Sequence, residues 1–187
     1  MKLPLAAVVG LVFCLSELVI AATRRSKAGA VSQDRNSLRI LVRVIFLCIF
    51  LGVWVSRTAP GGWLPHRHAL DLVGVALFVL GTALRWWSIV LLGKFFTVDV
   101  AIAPDHRLVE SGPYRFLRHP SYTGALVAFV GLGLTLGNVY SLLVMLIPIT
   151  LAFLWRIRIE EAALTGALGA SYRDYCVRTR RLIPGLY

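Results

Sequence analysis

Charged residues are scarce in this sequence of 187 residues: 16% are Asp, Glu, Lys or Arg, whereas 58% are hydrophobic. A water-soluble domain of this size carries many more charged side chains on its surface. The composition therefore excludes a water-soluble monomer and predicts an integral membrane protein.

Acidic side chains are the scarcest of the charged groups, 9 against 20 Lys and Arg, which leaves a formal net charge of +11. In a nucleic-acid-binding protein we would expect basic stretches interleaved with aromatic side chains that stack on bases. No basic stretch here has that pattern, so we expect no nucleic-acid partner. In an apolar chain the excess instead predicts loops that face anionic lipid headgroups.

Cysteine is also rare, and Cys14, Cys48 and Cys176 are widely spaced. An odd, scattered set provides neither a disulfide framework nor zinc-ligand spacing. The His66-x-His68 pair has no third ligand nearby in the sequence, so we expect no metal site. The sequence also lacks a G-x-G-x-x-G motif after a strand, which argues against a dinucleotide-binding α/β domain.

Long apolar runs account for most of the hydrophobic residues. Residues 3–22, 38–55 and 69–92 each have about the 20 residues that a helix needs to cross the hydrocarbon core. Residues 122–155 would form a helix of about 50 Å, which is too long for one crossing and short for two. We therefore expect a tight helical hairpin that turns at Gly137-Asn138, and about five transmembrane helices in all.

Basic residues are concentrated in residues 23–43, 93–120 and 156–181, which fall on one side of the membrane in a five-helix chain. Their excess predicts an outer N-terminus and a cytoplasmic C-terminus, in the cytoplasmic membrane of a bacterium or the endoplasmic reticulum of a eukaryote. Residues 3–22 are expected to stay as an anchor, because this run is too long for the apolar core of a signal peptide.

A few charged residues lie in or beside the apolar runs. Glu17 and Asp71 are candidates for a function because acids inside a membrane are costly, but the sequence assigns neither a role. Arg85, Trp86 and Trp87 near the end of the third run resemble an interfacial belt, and we favour this interpretation for the two tryptophans.

The first of two polar segments, residues 106–124, places histidine, arginine, tyrosine, proline and glycine between apolar runs. Its Gly-Pro pair predicts a turn. Pro120 suits the first turn of a helix, because the N–H that proline lacks has no partner there in any case. His119 and Tyr122 are therefore expected at the mouth of the helix bundle.

The second polar segment continues the last apolar helix and carries Arg156, Arg158, Glu160 and Glu161. Their spacings of three and four allow ion pairs on the helix surface, each worth a few tenths of a kcal/mol. Alternatively, these charges meet the first segment in a small-molecule site. Arg156 and Arg158 are about 200° apart around the helix, so only one can face the bundle, and the sequence does not decide which.

Taken together, these motifs resemble the isoprenylcysteine carboxyl methyltransferase family and its phospholipid methyltransferase relatives. The resemblance covers residues 93–187 and rests on H-x-L-V-x-x-G-P-Y-R-x-x-R-H-P-x-Y-x-G from His106 to Gly124, on Glu160-Glu161, on Tyr172-x-x-Tyr175 and on L-I-P-G at residues 182–185. It implies a membrane enzyme that uses S-adenosylmethionine without a Rossmann fold, while a lipophilic or lipidated acceptor arrives from the membrane.

The resemblance also implies roles for individual residues. The cofactor pocket would be lined by His106, Leu108, Val109, Gly112, Pro113, Tyr114, Arg118, His119 and Tyr122. Glu160 or Glu161 would bind the methionine ammonium. Arg156 or Arg158 would hold an acceptor carboxylate, and a guanidinium suits it because it binds a carboxylate bidentately and stays charged.

The identity of the acceptor stays open between a prenylated cysteine, another lipid carboxylate, a phospholipid amine and a thiol, with a carboxylate favoured. A carboxylate is already an anion and needs no base. An amine would need a general base, for which His106, His119 or a Glu are the candidates.

We therefore expect a single all-α membrane domain over residues 1–187. Residues 1–92 would form three helices, and residues 93–187 the cofactor-binding loop, the hairpin and a basic tail, with the cofactor pocket at the inner face. One alternative is an NADPH-dependent sterol or steroid-type reductase, because such enzymes end in a similar Tyr, basic and Ile-Pro pattern. Another is a non-catalytic membrane protein. The sequence does not indicate an oligomeric state.

Overall fold

Six helices make up most of the chain. The computed structural model describes residues 5–23, 31–34, 36–96, 100–102, 107–185 and 187, so His106 lies outside the described residues. The helices are α1 (Leu5–Thr23), α2 (Asn36–Thr58), α3 (Arg67–Leu92), α4 (Pro120–Leu136), α5 (Val139–Leu168) and α6 (Ala170–Arg178). Short 3-10 turns occupy Gly93–Phe95 and Gly112–Arg115. The second of these turns contains the Gly-Pro pair at which the sequence predicts a turn.

The helices have the composition of membrane-embedded segments. Within the described part of the chain, three are long and apolar enough to cross a bilayer: Asn36–Thr58, Arg67–Phe95 and Val139–Leu168. Leu5–Ile20 and Pro120–Leu136 are apolar but shorter. Many large apolar side chains on the outer surface are exposed, such as Phe50, Leu72 and Leu151. The predicted helical membrane fold is confirmed, and the count of about five crossings stays a prediction.

The hairpin turns where the sequence predicts it. α4 ends at Leu136, and Gly137 adopts a left-handed conformation with φ 69°. The side chain of Asn138 then caps α5 by accepting hydrogen bonds from the backbone N–H groups of Tyr140 and Ser141, at 2.9 and 3.3 Å. Because Asn138 satisfies two of the N–H groups that a helix start leaves without partners, α5 can begin directly after the turn.

α3 packs against α4 with almost no side chain between the two backbones. A Cβ atom on Gly81 would lie 2.5 Å from the carbonyl oxygen of Gly124, and one on Gly131 would lie 2.4 Å from that of Gly74. Only glycine permits this approach, which is the usual role of small residues between membrane helices. One turn beyond Gly81, the same contact brings Arg85 against the start of α4.

A short antiparallel ladder was not predicted from the sequence. β1 (Val31–Asp34) pairs with β2 (Val100–Ile102), with Val31 opposite Ile102. Strands this short carry too few residues for an alternating pattern to be recognised. The ladder joins the segment after α1 to the segment after α3, so both lie at the same end of the helix bundle.

Candidate functional site

A cavity of about 210 Å³ lies inside the bundle, lined by residues of α1 to α5 and of the loop before α4. Where α4 begins, its wall is polar and includes Glu17, Arg85, Tyr114, Arg118, His119, Ser121, Tyr122, Arg156 and Glu160. Deeper along the helices the wall is apolar and includes Phe13, Leu41, Ile45, Ile49, Ala125, Phe129 and Phe153. One cavity therefore offers a charged compartment that continues into an apolar one.

A chain of hydrogen bonds links the two polar segments at the charged end. Arg156 Nε donates to Tyr122 Oη at 3.1 Å, and Tyr122 Oη donates to Glu160 Oε2 at 2.9 Å. Arg156 Nη1 also donates to Ser37 Oγ on α2 at 2.6 Å. The Tyr122 hydroxyl thus bridges the Arg156 guanidinium and the Glu160 carboxylate.

The structure distinguishes the two arginines that the sequence could not. Arg156 is 2% exposed and lines the cavity. Arg158 is exposed and lies outside the cavity lining among the described residues. Because the two residues are about 200° apart on α5, burial of one turns the other outward.

The two adjacent glutamates also have different surroundings. Glu161 Oε1 accepts from Arg118 Nε at 2.8 Å and lies 3.3 Å from His119 Nε2. Glu161 Oε2 accepts from Arg181 Nε at 2.9 Å. Glu161 is thus surrounded by basic side chains and lies outside the cavity lining, whereas Glu160 belongs to it.

The tail after α5 forms the support beneath the loop. Tyr175 Oη donates to the carbonyl oxygens of Tyr114 and Leu117, at 2.7 and 3.2 Å. The backbone N–H of Arg118 donates to the carbonyl oxygen of Arg180 at 2.7 Å. Burial raises the pKa of the Tyr175 phenol, so it stays a hydrogen-bond donor at physiological pH. The Tyr172-x-x-Tyr175 motif therefore packs in the interior and holds the loop in position.

The remaining loop residues are distributed between the cavity and its supports. Tyr114 lines the cavity and donates to the carbonyl oxygen of Ser88 on α3 at 3.3 Å. Gly112 has φ 57°, and a Cβ atom there would lie 2.6 Å from Leu91 Cδ1, so glycine lets the loop pack on α3. Four predicted pocket residues of the loop that the structure describes lie outside the cavity lining: Leu108, Val109, Gly112 and Pro113.

Arg85 is the main polar residue whose position the sequence did not predict. Its side chain is 11% exposed and faces the cavity, where Nε and Nη2 donate to the two carboxylate oxygens of Glu17 at 2.6 and 2.7 Å. Trp86 donates to Ser16 Oγ at 2.7 Å, and Trp87 is largely exposed. The interfacial belt expected of the two tryptophans stays a prediction, whereas Arg85 lines the cavity. A charged residue inside an apolar run was the available signal.

Ser37 and Ser121 are two further site residues that sequence reasoning missed. Ser37 is fully buried and contacts Arg156, and Ser121 Oγ accepts from Arg85 Nη1 at 3.1 Å. A single serine carries no recognisable pattern in the sequence, so only the fold reveals these two contacts.

The charged end of the cavity can bind a cationic group at Glu160 and an anionic group at Arg156 within one small volume. Charge-assisted hydrogen bonds are stronger where water is limited, as it is in a cavity inside a helix bundle. The apolar end suits a hydrocarbon chain. The cavity therefore fits ligands that together carry a cationic group, an anionic group and a hydrocarbon chain.

Comparison with known proteins identifies similar chains. Residues 74–166 match the profile of the "Isoprenylcysteine carboxyl methyltransferase (ICMT) family". The chain is 34% identical over 171 residues to protein-S-isoprenylcysteine O-methyltransferase B of Arabidopsis thaliana, covering 90% of this chain and 80% of that protein. It is 37% identical over 107 residues to the corresponding methyltransferase of Schizosaccharomyces pombe, covering 56% and 45%.

The fold is also similar to a solved structure, that of the eukaryotic intramembrane Ras methyltransferase isoprenylcysteine carboxyl methyltransferase. The TM-score is 0.62 with 25% sequence identity, over 92% of this chain and 61% of that one. The chain thus spans most of the Arabidopsis relative but about three fifths of the solved protein.

The environment of Glu161 predicts that it stabilises the fold. We expect Glu161→Gln to lower the free energy of unfolding by about 3 kcal/mol, because the largely buried Arg118 and the partly exposed Arg181 lose the carboxylate that neutralises them. Denaturant titration in detergent micelles measures this change. The matched control is Glu110→Gln, which breaks the exposed 3.0 Å pair with Arg178 and should change stability by less than about 0.5 kcal/mol. Equal effects of the two changes would contradict the prediction.

Proposed function

This chain belongs to the isoprenylcysteine carboxyl methyltransferase family and is a membrane methyltransferase, and on that premise we propose that it transfers a methyl group from S-adenosylmethionine to the carboxylate of an isoprenylcysteine. The observation that carries the proposal is the Arg156–Tyr122–Glu160 chain of hydrogen bonds at the junction of a charged and an apolar compartment. The relatives' names supply the class of acceptor.

The residues at the charged end fit the methyl donor. Glu160 is the acidic side chain available for the methionine ammonium, because Glu161 is engaged by Arg118 and Arg181, and Glu17 by Arg85. His119 and Tyr122 stack with ring centroids 5.7 Å apart beside Glu160 and provide a flat wall for the rest of the donor. Tyr114 and Arg118 complete this side of the cavity.

Arg156 binds the acceptor carboxylate, and the apolar compartment takes the isoprenyl chain. The compartment is lined by α1, α2, α4 and α5, with Phe129 and Phe153 at its wall. Ser37 and Tyr122 fix the guanidinium by hydrogen bonds, so little side-chain entropy is lost when the carboxylate binds.

When bound, S-adenosylmethionine supplies a methyl group made electrophilic by the positively charged sulfur. The chain's own residues then have to hold the carboxylate oxygen in line with that methyl group and exclude water. Such positioning supplies several kcal/mol of the barrier reduction. A carboxylate needs no general base, which agrees with a His119 side chain already paired with Glu161.

We also propose that the charged end of the cavity faces the cytoplasm. The ladder between β1 and β2 and the contact between Arg118 and Arg180 bring the three basic segments to one end of the bundle. An excess of Lys and Arg is typical of cytoplasmic loops.

Thiol labelling of intact bacterial cells that carry the protein in their cytoplasmic membrane tests this orientation. In a cysteine-free variant, Arg173→Cys should react with an impermeant maleimide only after permeabilisation, and His68→Cys, at the other end of α3, should react before it. The reverse labelling pattern would overturn the proposed orientation.

Glu160→Gln should weaken donor binding, because the methionine ammonium loses its anionic partner. Isothermal titration of the purified protein with S-adenosylmethionine measures the affinity, and we expect at least a tenfold loss from one charge-assisted hydrogen bond. Glu110→Gln, at the exposed pair, should bind as the wild type does. No saturable binding by folded wild-type protein would sink the proposed function.

The two arginines of α5 provide a test variant and a matched control for the acceptor site. Arg156→Lys should raise the KM of N-acetyl-S-farnesylcysteine by about tenfold, because a lysine loses the planar fork. Arg158→Lys, on the exposed face, should leave both kcat and KM near the wild-type values. A larger effect at Arg158 than at Arg156 would show that the assignment of the acceptor site is wrong.

A further inference from the structure

Glu17 is the one charged residue of α1, a helix of 19 residues that is otherwise apolar apart from small hydroxyls. A carboxylate in such a helix is costly unless it has a partner. Here it lines the charged end of the cavity, and its side chain is 31% exposed. The contacts proposed for the donor at Glu160 and for the acceptor at Arg156 do not involve Glu17.

Arg85 holds Glu17 in the geometry in which an arginine binds a free carboxylate. Nε and Nη2 each donate to a different oxygen, at 2.6 and 2.7 Å, which is a bidentate pair. The remaining nitrogen, Nη1, donates to Ser121 Oγ and to the Ser121 carbonyl oxygen, at 3.1 and 3.3 Å. Arg85 is therefore fixed to the first turn of α4, and its fork points to Glu17.

Arg85 is more tightly packed than its partner Glu17. Arg85 lies on α3, which packs on α4 through the glycine contacts, and its side chain is 11% exposed. Glu17 is nearly three times as exposed and belongs to α1, whose outer face presents Leu11, Leu15 and Leu18. Glu17 therefore has more room to move than Arg85.

We propose that Glu17 is a specificity-determining residue: it occupies the fork of Arg85 when no acceptor is present, and the acceptor carboxylate replaces it there. This inference rests on the proposed function and refines it, because Arg85 then shares the acceptor carboxylate with Arg156. Both guanidinium groups line the same cavity, and Ser121 and Tyr122 are adjacent in α4. After the exchange Glu17 has lost the guanidinium that neutralises it, and this cost weakens the binding of the acceptor.

The exchange has a consequence for selectivity. An acceptor with a carboxylate can take the place of Glu17. It then forms a bidentate ion pair with Arg85, and the pair between Arg85 and Glu17 is broken. A neutral lipid of the same shape gains nothing at Arg85 and leaves Glu17 in place. Glu17 therefore weakens the binding of every carboxylate acceptor by the same factor, and its removal strengthens that binding selectively.

Steady-state kinetics of Glu17→Gln test the proposal. Glutamine keeps an oxygen for Arg85 but loses the charge, so we expect the KM of N-acetyl-S-farnesylcysteine to fall about tenfold, as for the loss of one competing charge-assisted contact. The KM of S-adenosylmethionine and kcat should change less than about twofold. Glu17→Asp keeps the charge and should retain a KM close to that of the wild type.

Ser16→Ala is the matched control, because it breaks the neighbouring contact between α1 and α3, the 2.7 Å hydrogen bond from Trp86, without a change of charge. An unchanged acceptor KM in Ser16→Ala supports the role of the Glu17 charge. The same fall in KM in Ser16→Ala would show that a loosened α1 is responsible and would overturn the proposal. Thermal unfolding of each variant identifies any that is destabilised.

Two outcomes separate this inference from the proposed function. If the wild type methylates the acceptor and Glu17→Gln has an unchanged or raised acceptor KM, the role of Glu17 is overturned and the methyltransferase proposal stands. If the folded wild type neither binds S-adenosylmethionine nor methylates the acceptor, both are overturned.

Discussion

The carboxylate of Glu161 is the interaction on which the site depends. It joins the loop before α4, through Arg118 and His119, to the tail after α6, through Arg181. Since Glu161 itself lies on α5, three separate stretches of chain meet at one carboxylate. Its neighbour Glu160 is thereby directed at the cavity, so the two adjacent glutamates have different surroundings. A motif of two adjacent acids is needed because one acid cannot fill both positions.

The glycine contacts between α3 and α4 set the other side of the site. With Gly81 and Gly124 almost in backbone contact, Arg85 reaches the first turn of α4 and turns into the cavity. A larger residue at either glycine would separate the helices and withdraw the guanidinium from Ser121. Helix packing deep in the bundle therefore determines which charges line the cavity at its mouth.

Sequence reasoning predicted the elements that carry a strong local signal. The apolar runs and the turn at Gly137-Asn138 rest on local patterns, and the family resemblance rests on several short motifs taken together; the fold agrees with them. The contacts of Ser37 and Arg85 depend on residues 119 and 68 positions away. No periodicity reports such pairings, and an arginine beside two tryptophans looks the same from sequence whether it faces lipid or a cavity. The choice between Arg156 and Arg158 failed for the same reason, since it requires the rotation of α5.

The pairing of charges in the cavity also bears on the kind of acceptor. An amine would have to lose a proton to a base, yet His119 is paired with Glu161, and Glu160 accepts from Tyr122. A carboxylate arrives already ionised and needs only cations to receive it, and three guanidinium groups line this cavity, those of Arg85, Arg118 and Arg156. Moving a charged ligand into a membrane costs free energy unless an oppositely charged group is present to bind it. A cavity whose arginines already hold oxygen atoms therefore favours exchange of one oxyanion for another over proton transfer, and this favours carboxyl methylation over the methylation of an amine.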